Sequence, residues 1–476
     1  MKMRRFWLIA LLAPAALGAG VITTHRISGA LPKSGLAGNG ITDIARSGGH
    51  LWLGTGNGLS RLDLATGQFV SYTPAQGLGH GSVAALWAHG DTIIVATATD
   101  TVTAADPAAL PKGTGISFSF DSGETWRHSP QPGPTPIQNL TYDIAVNAST
   151  VWIVSYGGGV LKSPDWGLSW VEAAPDTFNF DPYGKYNHRG FSAAAAGGAL
   201  WIGTAEGVNK STDNGATWRN LTHVSQPEPI SGNFVVALGC QQTGGRDIIW
   251  GATWVAEGET EYNAVSRSLD GGLTWKTFLR DEKAHNFAFD DSVVYVAADN
   301  GLFVSHDLGE SWYLYPPMRD ARDGERVLGT EAYSAYAQDG TLWAGMADGL
   351  ARTSDNGFTW EIYRAFVPTG RGGEKRTYAY PNPFSPMRQN QIGGDGYVRF
   401  QYNTRAAARV TVKVFDFAME LVATVIDGEY RTGPAECAEL WNGRNDYGDL
   451  VANGAYFYSL EIEGDGTYWG KVLIIN

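Results

Sequence analysis

An octapeptide that returns six times along the chain is the strongest constraint on its fold. Each copy has serine or threonine first, aspartate third, glycine fifth, a hydroxyl residue seventh and tryptophan last. The copies are Ser119–Trp126, Ser163–Trp170, Ser211–Trp218, Ser268–Trp275, Ser305–Trp312 and Thr353–Trp360. A motif repeated at intervals of roughly forty to fifty residues predicts an array of similar units that cover one another's faces.

A second pattern precedes the octapeptides: an apolar run, a glycine-containing turn and another short apolar run. Together with the octapeptide it predicts four short antiparallel strands per unit. In the fourth unit these strands are expected at 191–196, 200–204, 208–212 and 217–221. A first unit has a different turn, Arg61–Phe69, in place of the octapeptide. Counting it, the chain predicts an all-β, seven-bladed β-propeller over residues 37–366.

The octapeptide falls at the hairpin between the third and fourth strands, and its residues suit that position. An aspartate there can accept hydrogen bonds from turn N–H groups, and the glycine can adopt a positive φ. The tryptophan returns to pack against the blade. We therefore expect a structural role for six aspartates: Asp121, Asp165, Asp213, Asp270, Asp307 and Asp355.

These copies match the pattern S-x-D-x-G-x-[ST]-W and so resemble the Asp-box, or BNR-repeat, propellers. That group includes sialidases, sortilin-type receptors, xyloglucan-cleaving hydrolases and photosystem II stability factors. The resemblance implies the propeller fold. It implies no single activity, because the group contains enzymes, receptors and assembly factors.

Both ends of the chain differ from the repeats. Residues 1–20 join a basic start to an apolar run and small residues, the layout of a secretory signal peptide. We therefore expect an exported protein, extracellular or at a bacterial cell surface, without a transmembrane segment in the mature chain. A glycine-bearing linker is expected at 367–377, and alternating strands predict a small Ig-like β-sandwich at 378–476.

The C-terminal segment is similar to two related groups. These are the Ig-like domain of the flagellar hook-capping protein and the C-terminal sorting domains of type IX secretion cargo. The matching stretches are Tyr380–Phe384, Val414–Asp416, Trp441–Gly448 and Lys471–Asn476. The resemblance implies sorting or attachment, with type IX-like secretion machinery as a partner.

Charge and motif content exclude several functions. The formal net charge of −13 and the lack of a basic cluster exclude a nucleic-acid partner. Cys240 and Cys437 fall in different predicted domains, so no disulfide is expected. No His/Cys metal spacing, nucleophile elbow or phosphate-binding loop occurs, so we expect no metal, no cofactor and no catalytic residue of those classes.

Long insertions point to a binding surface on the rim away from the octapeptides. They lie at 100–115, 173–190, 254–264 and 313–330. Long loops on a rigid scaffold are often functional. Aromatic, acidic and arginine side chains there suit sugar or peptide recognition. The alternative interpretation is that they are lengthened surface loops with solvated charges. The candidate ligand-binding residues are Tyr183, Tyr186, His188, Arg189, Trp254, Glu257, Glu259, Tyr262, Arg319 and Arg322.

Three functions agree with these features. The preferred hypothesis is an exported, non-enzymatic propeller that binds an unknown glycan or protein at the loop-rich rim. A second is an extracellular glycoside hydrolase, with Glu257 or Glu259 as the acid. A third is an exported assembly or stability factor.

Overall fold

A computed structural model of the protein describes residues 35–101, 110–133, 138–173, 175–176, 181–256, 260–321, 324–370 and 375–476. The predicted signal peptide lies outside these residues. Within them the regular secondary structure is almost entirely β-strand, and the expectation of an all-β fold built from repeated four-stranded sheets is confirmed. No helix in the described ranges is long and apolar enough to cross a membrane.

The described residues between 35 and 363 contain seven four-stranded antiparallel sheets. The strands of the first four are β1 (Ile41–Ser47), β2 (His50–Thr55), β3 (Gly58–Asp63), β4 (Phe69–Tyr72), β5 (Ser82–His89), β6 (Thr92–Thr101), β7 (Leu110–Ser119), β8 (Arg127–Ser129), β9 (Thr141–Asn147), β10 (Thr150–Ser155), β11 (Gly159–Ser163), β12 (Val171–Glu172), β13 (Gly190–Ala196), β14 (Ala199–Thr204), β15 (Gly207–Ser211) and β16 (Arg219–Leu221).

The strands of the other three sheets are β17 (Phe234–Thr243), β18 (Arg246–Trp254), β19 (Ala264–Ser268), β20 (Lys276–Phe278), β21 (Ala284–Asp290), β22 (Val293–Ala298), β23 (Gly301–Ser305), β24 (Tyr313–Leu314), β25 (Ala332–Gln338), β26 (Thr341–Met346), β27 (Gly349–Thr353) and β28 (Glu361–Tyr363). In every sheet the strands pair in chain order, so each sheet is a meander.

The first strands of consecutive sheets contact one another in turn, from β1 and β5 through to β21 and β25. Strand β25 then contacts β1, which closes the ring. At this closure the Ser334 Oγ donates to the Ile41 carbonyl at 3.0 Å, and the Gly349 N–H donates to Asn39 at 2.7 Å. All four strands of the last sheet come from one stretch of chain, so among the described residues packing and hydrogen bonds hold the closure.

Each octapeptide forms the hairpin between the third and fourth strands, as its residues predicted. In the fourth sheet, Asp213 Oδ1 accepts the backbone N–H of Thr217 at 2.8 Å, and the hydroxyls of Ser211 and Thr217 also donate to this carboxylate. Gly215 has a φ of +79°. The ring of Trp218 meets that of Trp152 in the preceding sheet edge-on, with centroids 5.9 Å apart. The hairpin therefore joins two sheets as well as two strands.

Basic side chains form a second repeated link between sheets. Lys162 Nζ lies 5.3 Å from the Trp152 ring centroid and donates to the Asn214 carbonyl in the next octapeptide at 3.3 Å. Lys210 lies likewise over Trp201 and donates to an octapeptide carbonyl in the sheet that follows. These cations hold each hairpin against its neighbour, which is consistent with the structural role expected for the octapeptides.

The structure divides into two compact units. One comprises the described residues of 35–318 and 331–363, and the other those of 319–330 and 364–476. Within the second unit, β29 (Thr377–Tyr380), β30 (Val398–Thr404) and β33 (Ala435–Trp441) form one sheet. Strands β31 (Ala408–Phe415), β32 (Leu421–Arg431), β34 (Gly454–Ile462) and β35 (Gly466–Ile474) form the other, in the order β32-β31-β34-β35.

The two sheets of this second unit enclose a single core. Phe400 from one sheet stacks on Tyr458 from the other, with ring centroids 4.2 Å apart. The described part of the predicted linker contributes to the unit as well. Buried Thr369 donates its backbone N–H to Glu436 at 2.9 Å, and Thr377 begins β29.

Candidate functional site

The candidate site is a cavity of about 200 Å³ that is lined by the first strands of all seven sheets. In an antiparallel meander, the first strand starts and the second strand ends at the same end of the sheet, measured along the strands. The hairpin between the third and fourth strands lies at the other end. Trp254, the last residue of β18, lines the cavity. The cavity therefore opens toward the end of the ring that is opposite the octapeptides.

A β-bulge near the start of each first strand creates the lining. In all seven sheets the pairing of first and second strands skips one residue. The seven skipped residues all line the cavity: Thr42, Ala84, Tyr142, Phe191, Val236, His285 and Tyr333. A bulge re-aims a side chain that regular alternation would place elsewhere. The residues at these seven positions therefore determine how aromatic, apolar or polar the cavity lining is.

Aromatic rings occupy one side of the cavity and continue beyond it. We call six residues the aromatic arc: Tyr156, Phe191, Phe234, Trp254, His285 and Tyr333. Phe191 lies 4.5 Å from Phe234 and 6.2 Å from Tyr156 between ring centroids. Phe234 pairs with Trp254 across the strands. Trp254 meets His285 at 5.4 Å, and His285 meets Tyr333 at 5.9 Å.

Two carboxylates face the same cavity. Asp143 Oδ1 accepts the N–H of Ile144 at 2.7 Å, and its Oδ2 accepts the N–H of Ala193 in the next sheet at 2.8 Å. Asp43 makes the equivalent pair of contacts with Ile44 and Leu86. Burial raises the pKa of Asp43 from 3.8 to about 6 and that of Asp143 from 3.8 to about 7, against the opposing effect of these N–H donors.

His285 brings a fixed ring to the arc. Its Nε2 lies 2.6 Å from Asp299 Oδ1, and a carboxylate can only accept, so Nε2 carries the proton. In the neutral ring Nδ1 is then an acceptor, and it is buried without a hydrogen-bond partner among the described residues. Next to it, the Tyr333 hydroxyl donates to Glu331 at 2.9 Å, and burial raises the pKa of Tyr333.

The described residues of the predicted insertion at 173–190 lie beside the arc. Tyr183 and Tyr186 are 70% and 42% exposed. Arg189 is buried, and its guanidinium lies 4.6 Å from the Tyr186 ring centroid and 5.0 Å from that of Tyr156. His188 is fully buried between Asp176 and the backbone of Asp181, so its ring orders the loop from within. Two exposed tyrosines therefore extend the aromatic surface outward.

The other predicted residues lie in different parts of the chain. Trp254 belongs to the arc, and its Nε1 donates to the Ala284 carbonyl at 3.0 Å. The Tyr262 ring lies 4.0 Å from the guanidinium carbon of Arg280. Arg319 belongs to the second compact unit. Glu257, Glu259 and Arg322 lie outside the described residues. Of the described candidates, Trp254 is the member that lines the cavity.

The predicted insertion at 100–115 is largely regular structure where it is described. Strands β6 and β7 pair through Thr101 and Leu110, which extends their hairpin beyond the ends of the neighbouring sheets. The part that lies between them, 102–109, is outside the described residues.

No protein-family model matches the chain. The search of curated proteins returns no match. Among solved structures, the chain is similar to the GH74 enzyme of Niastella koreensis, with 14% identity, a TM-score of 0.50, and coverage of 94% of this chain and 74% of that one.

Two further structures show a weaker likeness. PorZ, an essential bacterial surface component of the type-IX secretion system of Porphyromonas gingivalis, has 15% identity and a TM-score of 0.44, over 90% of this chain and 64% of that one. YCF48 from Cyanidioschyzon merolae has 16% identity and a TM-score of 0.43, over 66% and 94%. The chain thus spans less than two thirds of the length of PorZ. At 14% identity, the similarity to the GH74 enzyme supports the β-propeller fold and no particular activity.

Proposed function

We propose that this protein is an exported β-propeller that binds a glycan or protein ligand at the aromatic arc, without catalysis. The observation that supports the site is the set of seven bulges, which directs aromatic side chains to one side of a single cavity. Aromatic faces with a few fixed polar groups are the usual composition of a ligand site. Sugar rings and peptide side chains both pack on such faces.

Tyr156, a half-buried member of the arc, and the exposed Tyr186 of the adjoining loop offer a test of this site. Glycan arrays and pull-downs with the purified full chain would identify a ligand, whose affinity is then measured for a Tyr156→Ala/Tyr186→Ala variant. We expect affinity to fall at least tenfold, because stacked rings supply much of the contact area at such sites. Phe358→Ala is the matched control, since Phe358 is 88% exposed in the last octapeptide, at the opposite end.

Two results would contradict this proposal. The first is an equal loss of affinity in the Phe358→Ala variant. The second is turnover of a polysaccharide by the parent protein that disappears in Glu257→Gln or Glu259→Gln, which would establish the hydrolase instead.

We further propose that residues 378–476 direct sorting or surface attachment. This proposal rests on the sequence resemblance of that segment to secretion-sorting domains. In a bacterium with a type IX system, a chain ending at residue 377 should be made but not retained at the surface. Normal surface retention of that truncated chain would contradict the role.

A further inference from the structure

We infer that the cavity at the arc accepts a positively charged side chain, lysine or arginine, from a polypeptide ligand. This inference rests on the proposed binding role of the arc and names the ligand that the role would serve. The described residues that line the cavity include Asp43 and Asp143 and no lysine or arginine. A cation that enters would therefore meet carboxylates and no competing positive charge.

The two carboxylates keep acceptor capacity after their backbone contacts. Each oxygen of Asp43 and Asp143 accepts one N–H from the protein. A carboxylate offers about four lone-pair positions, so each retains room for further donors. Their negative charges act on each other, because Asp43 contributes to the raised pKa of Asp143. A cation between them would relieve that repulsion.

His285 supplies an independent acceptor. The residue is only 6% exposed, its ring lines the cavity, and its Nδ1 has no partner within the described ranges. A buried acceptor without a donor is costly, and a ligand N–H group would satisfy it. Because Asp299 fixes the proton on Nε2, Nδ1 remains an acceptor in the neutral ring.

The aromatic lining favours the same kind of ligand. Tyr142, Phe191 and Phe234 line the cavity together with Trp254 and Tyr333. The face of an aromatic ring attracts a cation, most strongly where water is excluded. The protein already uses this contact outside the cavity, since Arg189 stacks on Tyr156 and Lys283 lies 5.7 Å from the Trp254 ring centroid. Neither of these basic residues lines the cavity.

The size of the cavity favours a side chain over a sugar. About 200 Å³ is below the range of roughly 300–1,000 Å³ that is typical of sites for drug-sized ligands. A slender, flexible lysine or arginine side chain can enter such a space while its backbone stays at the mouth. A pyranose ring within a polysaccharide cannot enter without its linked neighbours. We therefore assign a polypeptide as the source of the cation.

Calorimetric titration of the full chain tests the inference. The probes are a blocked pentapeptide with a central lysine, its arginine counterpart, its uncharged norleucine counterpart, and free glucosamine. We expect a cationic peptide to bind at least tenfold more tightly than the norleucine peptide. Asp43→Asn/Asp143→Asn should remove that preference. Asp247→Asn should keep it, because Asp247 is an exposed aspartate near the other end of the strand that carries Trp254.

A second variant tests the inference even if the aspartate variants misfold, because it leaves Asp43 and Asp143 unchanged and its stability is measured without a peptide. Ala84 lines the cavity at the bulge of β5, so Ala84→Lys would place an ammonium group inside it. We expect Ala84→Lys to unfold at a temperature at least about 3 °C above that of Ala84→Met, and to lose peptide binding. A lysine variant that unfolds below the methionine variant would overturn the inference.

The remaining outcomes separate this inference from the proposed function. Equal binding of the lysine, arginine and norleucine peptides would overturn the preference for a cation, and tight binding of glucosamine alone would overturn the polypeptide source. Either result leaves the arc as a binding site if the Tyr156→Ala/Tyr186→Ala variant still loses its ligand. Failure of the proposed function would appear instead as a ligand affinity that does not change in the Tyr156→Ala/Tyr186→Ala variant.

Discussion

Between about pH 4 and pH 7, the Asp143→Asn variant should gain stability relative to the parent protein, by on the order of 2–4 kcal/mol. The reason is the carboxyl of Asp143, whose pKa burial raises from 3.8 to about 7 in the folded protein. The unfolded chain ionises near the lower value. The folded parent therefore loses stability as pH rises through this window, and an asparagine, which does not ionise, removes the loss.

The octapeptide aspartates change the stability of the folded protein with pH in the opposite direction. Hydrogen bonds from hydroxyl and N–H groups lower the pKa of Asp165, Asp213, Asp307 and Asp355 to about 2. Their contribution to the stability of the folded protein is present above the ordinary aspartate pKa and is lost as pH falls through about 2. The parent protein should therefore be most stable at mildly acidic pH.

Urea unfolding of the parent and of Asp143→Asn across this pH range measures the difference directly. Asp247→Asn is the control, since Asp247 is exposed. If the free energies of unfolding of Asp143→Asn and of the parent differ by a constant amount from pH 4 to pH 7, Asp143 titrates at its ordinary pKa.

Replacing Gly215 by alanine should lower the free energy of unfolding by about 2 kcal/mol more than the same change at Gly198. The two glycines have nearly equal φ angles, +79° and +78°, so the backbone cost of the new side chain is similar. Their surroundings differ. A Cβ at Gly215 would lie 2.3 Å from Trp152 Cη2, whereas a Cβ at Gly198 would meet nothing within 4 Å.

Comparing Gly215→Ala with Gly198→Ala measures the free-energy cost of disturbing the contact between the octapeptide and Trp152 of the preceding sheet. Both variants are measured by urea unfolding under one set of conditions. Equal destabilisation would mean that Trp152 moves aside without cost, and the hairpin would then join strands without joining sheets.

Much of the repeat fold could be predicted because its signals are local. In the fourth sheet, strands expected at 191–196, 200–204 and 208–212 are observed at Gly190–Ala196, Ala199–Thr204 and Gly207–Ser211. The fourth strand begins later than expected, at Arg219, because Thr217 is bound to Asp213 within the turn. The octapeptide chemistry was thus predicted correctly, while its tight turn shortened the strand beside it.

The candidate site was harder to predict because bulges determine it. Strict alternation cannot show that one extra residue in each first strand turns toward the axis. A signal does exist in the sequence. In four first strands the second residue is aromatic or histidine and a polar residue follows it, in the pairs Tyr142-Asp143, Phe191-Ser192, His285-Asn286 and Tyr333-Ser334. Comparing the units at this position would have located three of the six arc residues, Phe191, His285 and Tyr333, together with Tyr142 in the cavity lining.

Site-specific photo-crosslinking tests the central claim most directly, namely that ligand binds at the arc and not at the octapeptide end. A photoreactive amino acid replaces Tyr186 beside the arc in one sample and Phe358 at the opposite end in another, each in the full chain with the ligand identified by array or pull-down. We predict a crosslink to ligand from position 186 and none from position 358. A crosslink from position 358 alone would contradict the account.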